Sequence, residues 1–356
     1  MQKNRISINQ IKNKQIMKNR RMKKYISFIL VTLLFTACGT DETKLEKVQR
    51  ERQEVVNVKS MVKEIDTGEV LIGSVARLFS SEKYLLIADS KGYDRLIHLF
   101  DNKEYRHVCS VGQLGQGPYE ITNMGTIVVD DVRNKFYVSD HGKMKIFSYD
   151  MDSLLISPEL YRHQIKAEIK SSMFPSSYCY INDTLSYARV ITPTSISTFE
   201  QAVAKWNMQT GEMKMMSYTH PAIENKRSVF DVSMENAFYV EAYLRHDLLS
   251  ICDLDGNLKC NIYGPDWNGG ERSKISCFGD VIVTKENIVA TYSGGDYNQE
   301  YFPTKILIFD LTGNYIKTLD VGYKISDCCY DETNNRIVMA FDDEIQFGYL
   351  NLNTLM

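Results

Sequence analysis

The chain has 356 residues, with 42 Lys or Arg against 45 Asp or Glu and a formal net charge of −3. Nine of the basic residues and none of the acidic ones fall in the first 24 positions, so a mature chain without that leader is distinctly acidic. This argues against nucleic acid as a partner, whose binding needs a basic face. What remains is enough for a large core, and as one domain it points to a large β fold.

The first element is the leader itself. An apolar run from Ile26 to Ala37 follows Lys23 and Lys24 and stops at Cys38. A spanning helix needs roughly 20 apolar residues, so the run suits the h-region of a secretory signal instead. Phe35-Thr36-Ala37-Cys38 resembles the lipobox of bacterial lipoproteins, with Phe35 where Leu is usual. The resemblance implies cleavage before Cys38, acylation of Cys38 and a stable membrane anchor, since several acyl chains hold where one does not. An ordinary signal peptide with an unrelated cysteine is the alternative. "MKKYISFILVTLLFTAC" is already a complete signal, so Met22 is an alternative start. Residues 1–37 are therefore read as signal peptide and 38–54 as acylated cysteine and solvated tether, with residues 55–356 left as the folded body. Asp41 and Glu42 fit the acidic pattern that marks surface export in some lipoproteins.

Beyond the tether, period-2 alternation, β-branched residues and Tyr dominate, and capped helical patterns are hard to find. "IVVDDVRNKFYVSDHGKMKIFSYD", Ile127–Asp150, reads as strand, turn, strand, turn, strand. The same layout recurs in six copies whose third strands end near Asp101, Asp150, Asn207, Asp253, Asp310 and Asn351. A four-stranded unit repeating at this interval is the mark of a β-propeller blade. The expected fold is all-β, a six-bladed propeller of four-stranded antiparallel blades. "NMQTG", "DLDGN" and "DLTGN" supply tight hairpin turns between third and fourth strands. Part of the segment from Val55 to Ile72 is expected beside the last blade, because an open ring would leave an unpaired edge.

"SVGQLGQGPYEI", Ser110–Ile121, concentrates three glycines and a proline. A phosphate-binding loop opens a helix, whereas a strand follows here. The spacing Gly112-x-x-Gly115-x-Gly117 also matches neither glycine-rich phosphate motif. The stretch reads as a connector from the outer edge of one blade to the inner edge of the next. With "YLLIAD" and "LIHLFD" before it, the stretch resembles the TolB-like six-bladed β-propeller family, mostly Gram-negative lipoproteins. That family's G-x-G-P-x-E element is matched by Gly115, Gly117, Pro118 and Glu120. "VDDVRNKFYVSD" is similar to an NHL repeat. The likeness is good over residues 70–150 and loose from 160 to 270, and it implies a fold far more firmly than a function.

Seven cysteines remain besides Cys38, an odd number lying mostly in strand-like runs, and they read as free thiols. No nucleophile elbow, zincin helix or complete EF-hand loop is present. Enzymes of the NHL and related groups often hold a channel metal, which would make Asp89, Asp140, His141, Glu241 and Asp342 candidate ligands for calcium or zinc. The favoured reading is that each Asp caps its own turn, with no cofactor. The better binding candidates lie in two long middle loops, Ala188–Ala202 and Ser293–Pro303, since length added on one face of a repeat marks its binding face. Arg189, Tyr297, Tyr301 and Phe302 lie there, and Arg245 with His246 occupies the corresponding turn of the fourth copy. Tyr-rich loops suit sugar rings and peptides. The expected function is a non-enzymatic, outer-membrane-anchored binding or scaffold module for a glycan, peptide or envelope partner. The alternative is a metal-assisted propeller lyase or hydrolase with its site in the central channel.

Overall fold

The computed structural model describes residues 45–355 apart from 170–173, 197, 272–273 and 300–301. Cys38 and Tyr301 therefore lie outside the described residues. Three short N-terminal strands come first: β1 (Glu46–Val48), β2 (Val55–Asn57) and β3 (Lys63–Glu64). Blade 1 comprises β4 (Ala76–Ser80), β5 (Tyr84–Asp89), β6 (Ile97–Asp101) and β7 (His107–Val111). The glycine-rich connector follows, holding β8 (Gln113–Leu114) against β9 (Glu120–Ile121) in parallel. Blade 2 is β10 (Met124–Asp130), β11 (Lys135–Asp140), β12 (Lys145–Asp150) and β13 (Gln164–Glu168), with a short helix α1 (Met151–Ile156) before its last strand. Blade 3 is β14 (Phe174–Asn182), β15 (Leu185–Pro193), β16 (Phe199–Trp206) and β17 (Met213–Met215). Blade 4 is β18 (Ser228–Ser233), β19 (Phe238–Tyr243), β20 (Leu248–Asp253) and β21 (Leu258–Tyr263). Blade 5 is β22 (Phe278–Val283), β23 (Asn287–Tyr292), β24 (Lys305–Asp310) and β25 (Tyr315–Asp320). Blade 6 is β26 (Ile325–Asp331), β27 (Arg336–Phe341) and β28 (Phe347–Asn351), completed from the other end of the chain by β3.

Within each blade the four strands pair antiparallel in sequence order, apart from this exchange in blade 6. The third strands end where the repeat places them, one residue early in blade 3 at Trp206. Neighbouring first strands touch, β26 with β4, β10 with β14 and β18 with β22, so these strands surround a channel. Both faces of a blade are covered by its neighbours, so the middle strands are buried throughout; all six residues of "FYVEAY" in β19 are buried. This is why such strands read as continuous apolar runs. The core is accordingly divided into layers between blades, such as Leu86, Val138 and Phe147 between blades 1 and 2 and Val240, Ile262 and Phe309 between blades 4 and 5.

Local chemistry explains the turns. Asp253 accepts backbone N–H groups from Asp255 at 2.9 Å and Asn257 at 2.8 Å, and Asp310 does the same for Thr312 and Asn314. "DLDGN" is therefore a hairpin turn, with Gly256 at φ +89° where a side chain would be strained. At α1 the Asp150 carboxylate caps the helix by accepting Ser153 N–H at 2.9 Å. That helix, missed by the periodicity, buries only Met151 and Leu154.

Ring closure occurs as the unpaired-edge argument demands, with Gly348 opposite Glu64 and Tyr349 opposite Lys63. The tether needs correction. Residues from 45 onward do not form a solvated tether: β1 adds in parallel to the outer edge of blade 4, and β2 does the same to blade 5. Between them Arg52 reaches the buried Asp247 at 2.6 Å, with its guanidinium 4.7 Å over the Tyr292 ring. Charged residues made this segment look solvated, but its backbone is used as strand and its arginine as an anchor. The seven cysteines of the folded body are free thiols.

Candidate functional site

The channel narrows at a ring of charged residues. Its lining comes from all six first strands, in a cavity of about 350 Å³ that includes Arg77, Asp231, Asp280 and Asp327. A second cavity of about 570 Å³ opens at one mouth of the channel. Arg77, Arg189, Val229, Asp280 and Asp327 line both, and together they form the neck between them.

Three aspartates occupy comparable places in first strands: Asp231 in "SVFDVS", Asp280 in "FGDVIV" and Asp327 in "ISDCCYD". Two of them clip adjacent blades together. Asp231 accepts the Val283 N–H of blade 5 at 2.7 Å, and Asp327 accepts the Leu78 N–H of blade 1 at 2.6 Å. The Asp280 carboxylate accepts no hydrogen bond among the described residues, and its backbone N–H goes to Thr291 Oγ1 at 2.8 Å. Burial pushes the Asp280 carboxyl up, against the pull of Arg77 and Arg189. Burial and the Asp280 charge push Asp327 up to about 7, with Arg77 opposing. Arg77 Nε stands 3.9 Å from Asp327. Arg189 donates to two neutral oxygens, Ser176 Oγ at 3.0 Å and the Ser228 carbonyl at 3.2 Å. Burial and the charge of Arg77 depress the Arg189 guanidinium, with Asp280 opposing.

Above the neck the mouth gains aromatic surface and more arginine. The Arg245 guanidinium lies 3.7 Å over the Tyr297 ring, and that of Arg227 lies 3.7 Å over Phe199. Tyr297 is 44% exposed despite this stacking, so the ring is reachable from solvent. Arg189, Arg245, Tyr297 and Phe302, which the sequence points to separately, line this one mouth cavity with Arg77 and Arg227. Arg189 does so from inside β15, because that strand and β16 extend to Pro193 and Phe199 and shorten the expected loop. His246 does not join them. It is buried, 6.1 Å from the Trp267 ring, and lines a neighbouring cavity of about 610 Å³ that shares Arg227 and Arg245 with the mouth. Burial, His220 and Arg245 all depress its imidazole.

The candidate metal ligands are not gathered. Asp89 spends its oxygens on Gly73 N–H at 2.7 Å and Lys91 N–H at 3.1 Å. Asp140 accepts four backbone N–H groups, from Thr122, Asn123, Gly142 and Lys143, at 2.8–3.1 Å. His141 packs edge-on against Phe174, with ring centroids 4.5 Å apart. Burial lowers its affinity for a proton, with Asp140 opposing. Glu241 is held by Lys226 at 2.8 Å. No group of three or more His, Cys, Asp or Glu among the described residues could hold a metal ion. The glycine-rich connector is also filled from within. Glu120 accepts Gly117 N–H at 2.7 Å, and a Cβ at Gly115 would overlap that carboxylate.

Sequence reasoning missed Arg77, Arg227, Asp280 and Asp327. For Arg77, Asp280 and Asp327 the available signal was a charged residue inside a largely apolar first strand, a position the pleat can turn toward the channel.

Comparison with known proteins agrees on architecture. Residues 51–226 match the family model DUF5128, described as a 6-bladed beta-propeller. No curated protein sequence matches the chain. Among solved structures, a protein of Bacteroides fragilis described as exported is similar at a TM-score of 0.53 and 14% identity, covering 84% of this chain and 88% of that one. A member of the DUF4221 family from Bacteroides vulgatus is similar at 0.55 and 12%, covering 81% and 94%. The WD40 repeats of RRP9 are similar at 0.57 and 8%, covering 85% and 99%. Identities this low speak to fold alone, and with the sheet order and the family model they agree on an all-β, six-bladed propeller.

Proposed function

We propose that this protein is a non-enzymatic binding module of the cell envelope, anchored in the outer membrane through acylated Cys38. Its channel mouth takes a glycan or peptide ligand, or a protein partner that carries one. The observation carrying this reading is the convergence of Arg189, Arg245, Tyr297 and Phe302 on one cavity. Its volume of about 570 Å³ falls within the roughly 300–1,000 Å³ of typical ligand sites. The signal run, the lipobox and the TolB-like stretch support export and anchoring, as does the likeness to a protein described as exported. Rigid aromatic and arginine side chains on a ring of packed blades suit recognition without large rearrangement.

The alternative, a channel enzyme, draws on Asp327, since a carboxyl held near 7 in a cleft suits acid–base chemistry. Its metal-assisted form loses Asp89, Asp140 and His141 as ligands.

The test is a glycan and peptide binding screen with residues 41–356, followed by Tyr297→Ala and Arg245→Ala. At least tenfold weaker binding with unchanged melting temperature is expected. Unaltered affinity in both variants would remove the mouth from the reading. Turnover of a bound oligosaccharide that Asp327→Asn abolishes would favour the enzyme. For the anchor, Cys38→Ser is expected to abolish acyl labelling and membrane recovery.

A further inference from the structure

The neck holds charges that do not satisfy one another. Arg189 is half-buried, and its donors among the described residues reach the neutral oxygens of Ser176 and Ser228. No carboxylate lies within ion-pair distance of it among the described residues. In blade 5 the Asp280 carboxylate has neither a hydrogen-bonded donor nor an ion pair among them, though Arg77 and Arg189 both pull on its charge. Arg77 and Asp327 meet only loosely, at 3.9 Å. Folding normally pairs desolvated charges directly, so a cation and an anion that feel each other across the neck without touching leave hydrogen-bonding capacity for a group that answers both.

We infer that the mouth cavity binds a carboxylated sugar, a uronic-acid residue of an oligosaccharide, with its carboxylate on Arg189 and Arg77 and its hydroxyls donating to Asp280 and Asp327. This rests on the binding-module reading and names its ligand class. Arginine presents a planar fork of N–H donors that matches a carboxylate. An aspartate accepts when ionised and both accepts and donates when protonated, so either state answers a sugar hydroxyl. The apolar face of a sugar ring fits the exposed side of Tyr297 and the neighbouring Phe302. An acidic peptide fits less well, because it offers carboxylates without the row of ring hydroxyls that two aspartate acceptors answer. Arg77 and Arg189 bring two cations to this cavity, in a chain whose net charge after loss of the leader is strongly negative. These guanidinium groups supply the contact for an anionic group that most of the acidic surface would repel.

Calorimetric titration of residues 41–356 tests this with trisaccharides of galacturonate, glucuronate and mannuronate, each beside its carboxyl-reduced neutral counterpart. At least one acidic trisaccharide is expected to bind at least tenfold more tightly than its counterpart. Arg189→Gln should remove most of that difference. Arg77→Gln should shrink it several-fold, and its exposed position makes it the working variant if Arg189→Gln does not fold. Equal affinity for the neutral sugars, or acid binding that neither substitution changes, overturns the inference. Binding of only a peptide or a neutral glycan, lost in Tyr297→Ala, also overturns it and leaves the binding module standing. Failure of every ligand in both screens sinks the two together.

Discussion

Aspartates at the blade rims and aspartates at the channel neck are the same chemical group in two opposite situations. Asp140 lies at the end of a second strand with four N–H donors converging on its carboxylate. Asp247, just before β20, is held by two Arg52 donors, the Tyr292 hydroxyl at 3.2 Å and the Asp266 N–H at 3.1 Å. Each is saturated, and its negative charge is used up in holding backbone and strap. Asp280 at the neck receives none of this, and Asp327 only one N–H and a distant guanidinium. A carboxylate that the fold has already satisfied is a structural part, and one that it has not is available to a ligand. Residue type and position along a strand do not reveal which is which.

Substitution should separate the two groups, most sharply at Asp247. Asp247→Ala would leave Arg52 buried without its counter-ion, an expected loss of about 3–5 kcal/mol, read by urea denaturation. A loss below about 1 kcal/mol would mean that the strap contributes little to holding blade 4. Asp140→Ala takes the acceptor from four partly exposed N–H groups and is expected to cost about 1–2 kcal/mol. Asp140→Asn keeps one acceptor oxygen and should cost less. Added calcium or zinc should leave the melting temperature of the unaltered protein in place, since a bound ion would raise it.

Asp327 should behave in the opposite sense. Its carboxyl titrates near 7 in the fold and near 3.9 in an unfolded chain. Between those values the folded state binds the extra proton, so its contribution to stability declines as pH rises from about 4 to 7. Asp327→Asn keeps an acceptor for Leu78 N–H and removes the charge. The variant is expected to melt about 2 °C above the parent at pH 8, with the difference gone by pH 5. A variant less stable at both pH values would show that the Arg77 contact outweighs desolvation. Asp280→Asn should act in the same sense and also relieve the upward push on Asp327, so a smaller gain in melting temperature at pH 8 that fades by pH 5 is expected.

Much of the fold is legible in the chain because blade repeats are local. Each unit carries its own turn residues, such as Asp253 with Gly256 and Asp310 with Gly313, and these close their hairpins whatever surrounds them. The connector at Gly115 and Gly117 is equally local, since Glu120 fills it from three to five residues away. The strap was not legible in this way. Glu46–Val48 pairs with Asn261–Tyr263 across more than 200 positions, and nothing in three polar-flanked residues announces a parallel partner. The site was half legible. Tyr297 stands in a loop whose length marks it and Arg245 in the equivalent turn of the fourth copy, whereas Arg77, Asp280 and Asp327 stand in strands where a charge passes for a solvent-facing position.

The sequence by itself determined six repeats, their hairpins and the need for an N-terminal strand to close the ring, because these follow from strand periodicity, turn chemistry and the cost of an open edge. Only the tertiary structure decided which charges meet. Stacking six blades brings Arg77, Arg189, Asp280 and Asp327 from four different units to one neck. Whether each finds a partner there depends on distances between blades, which no stretch of local sequence encodes.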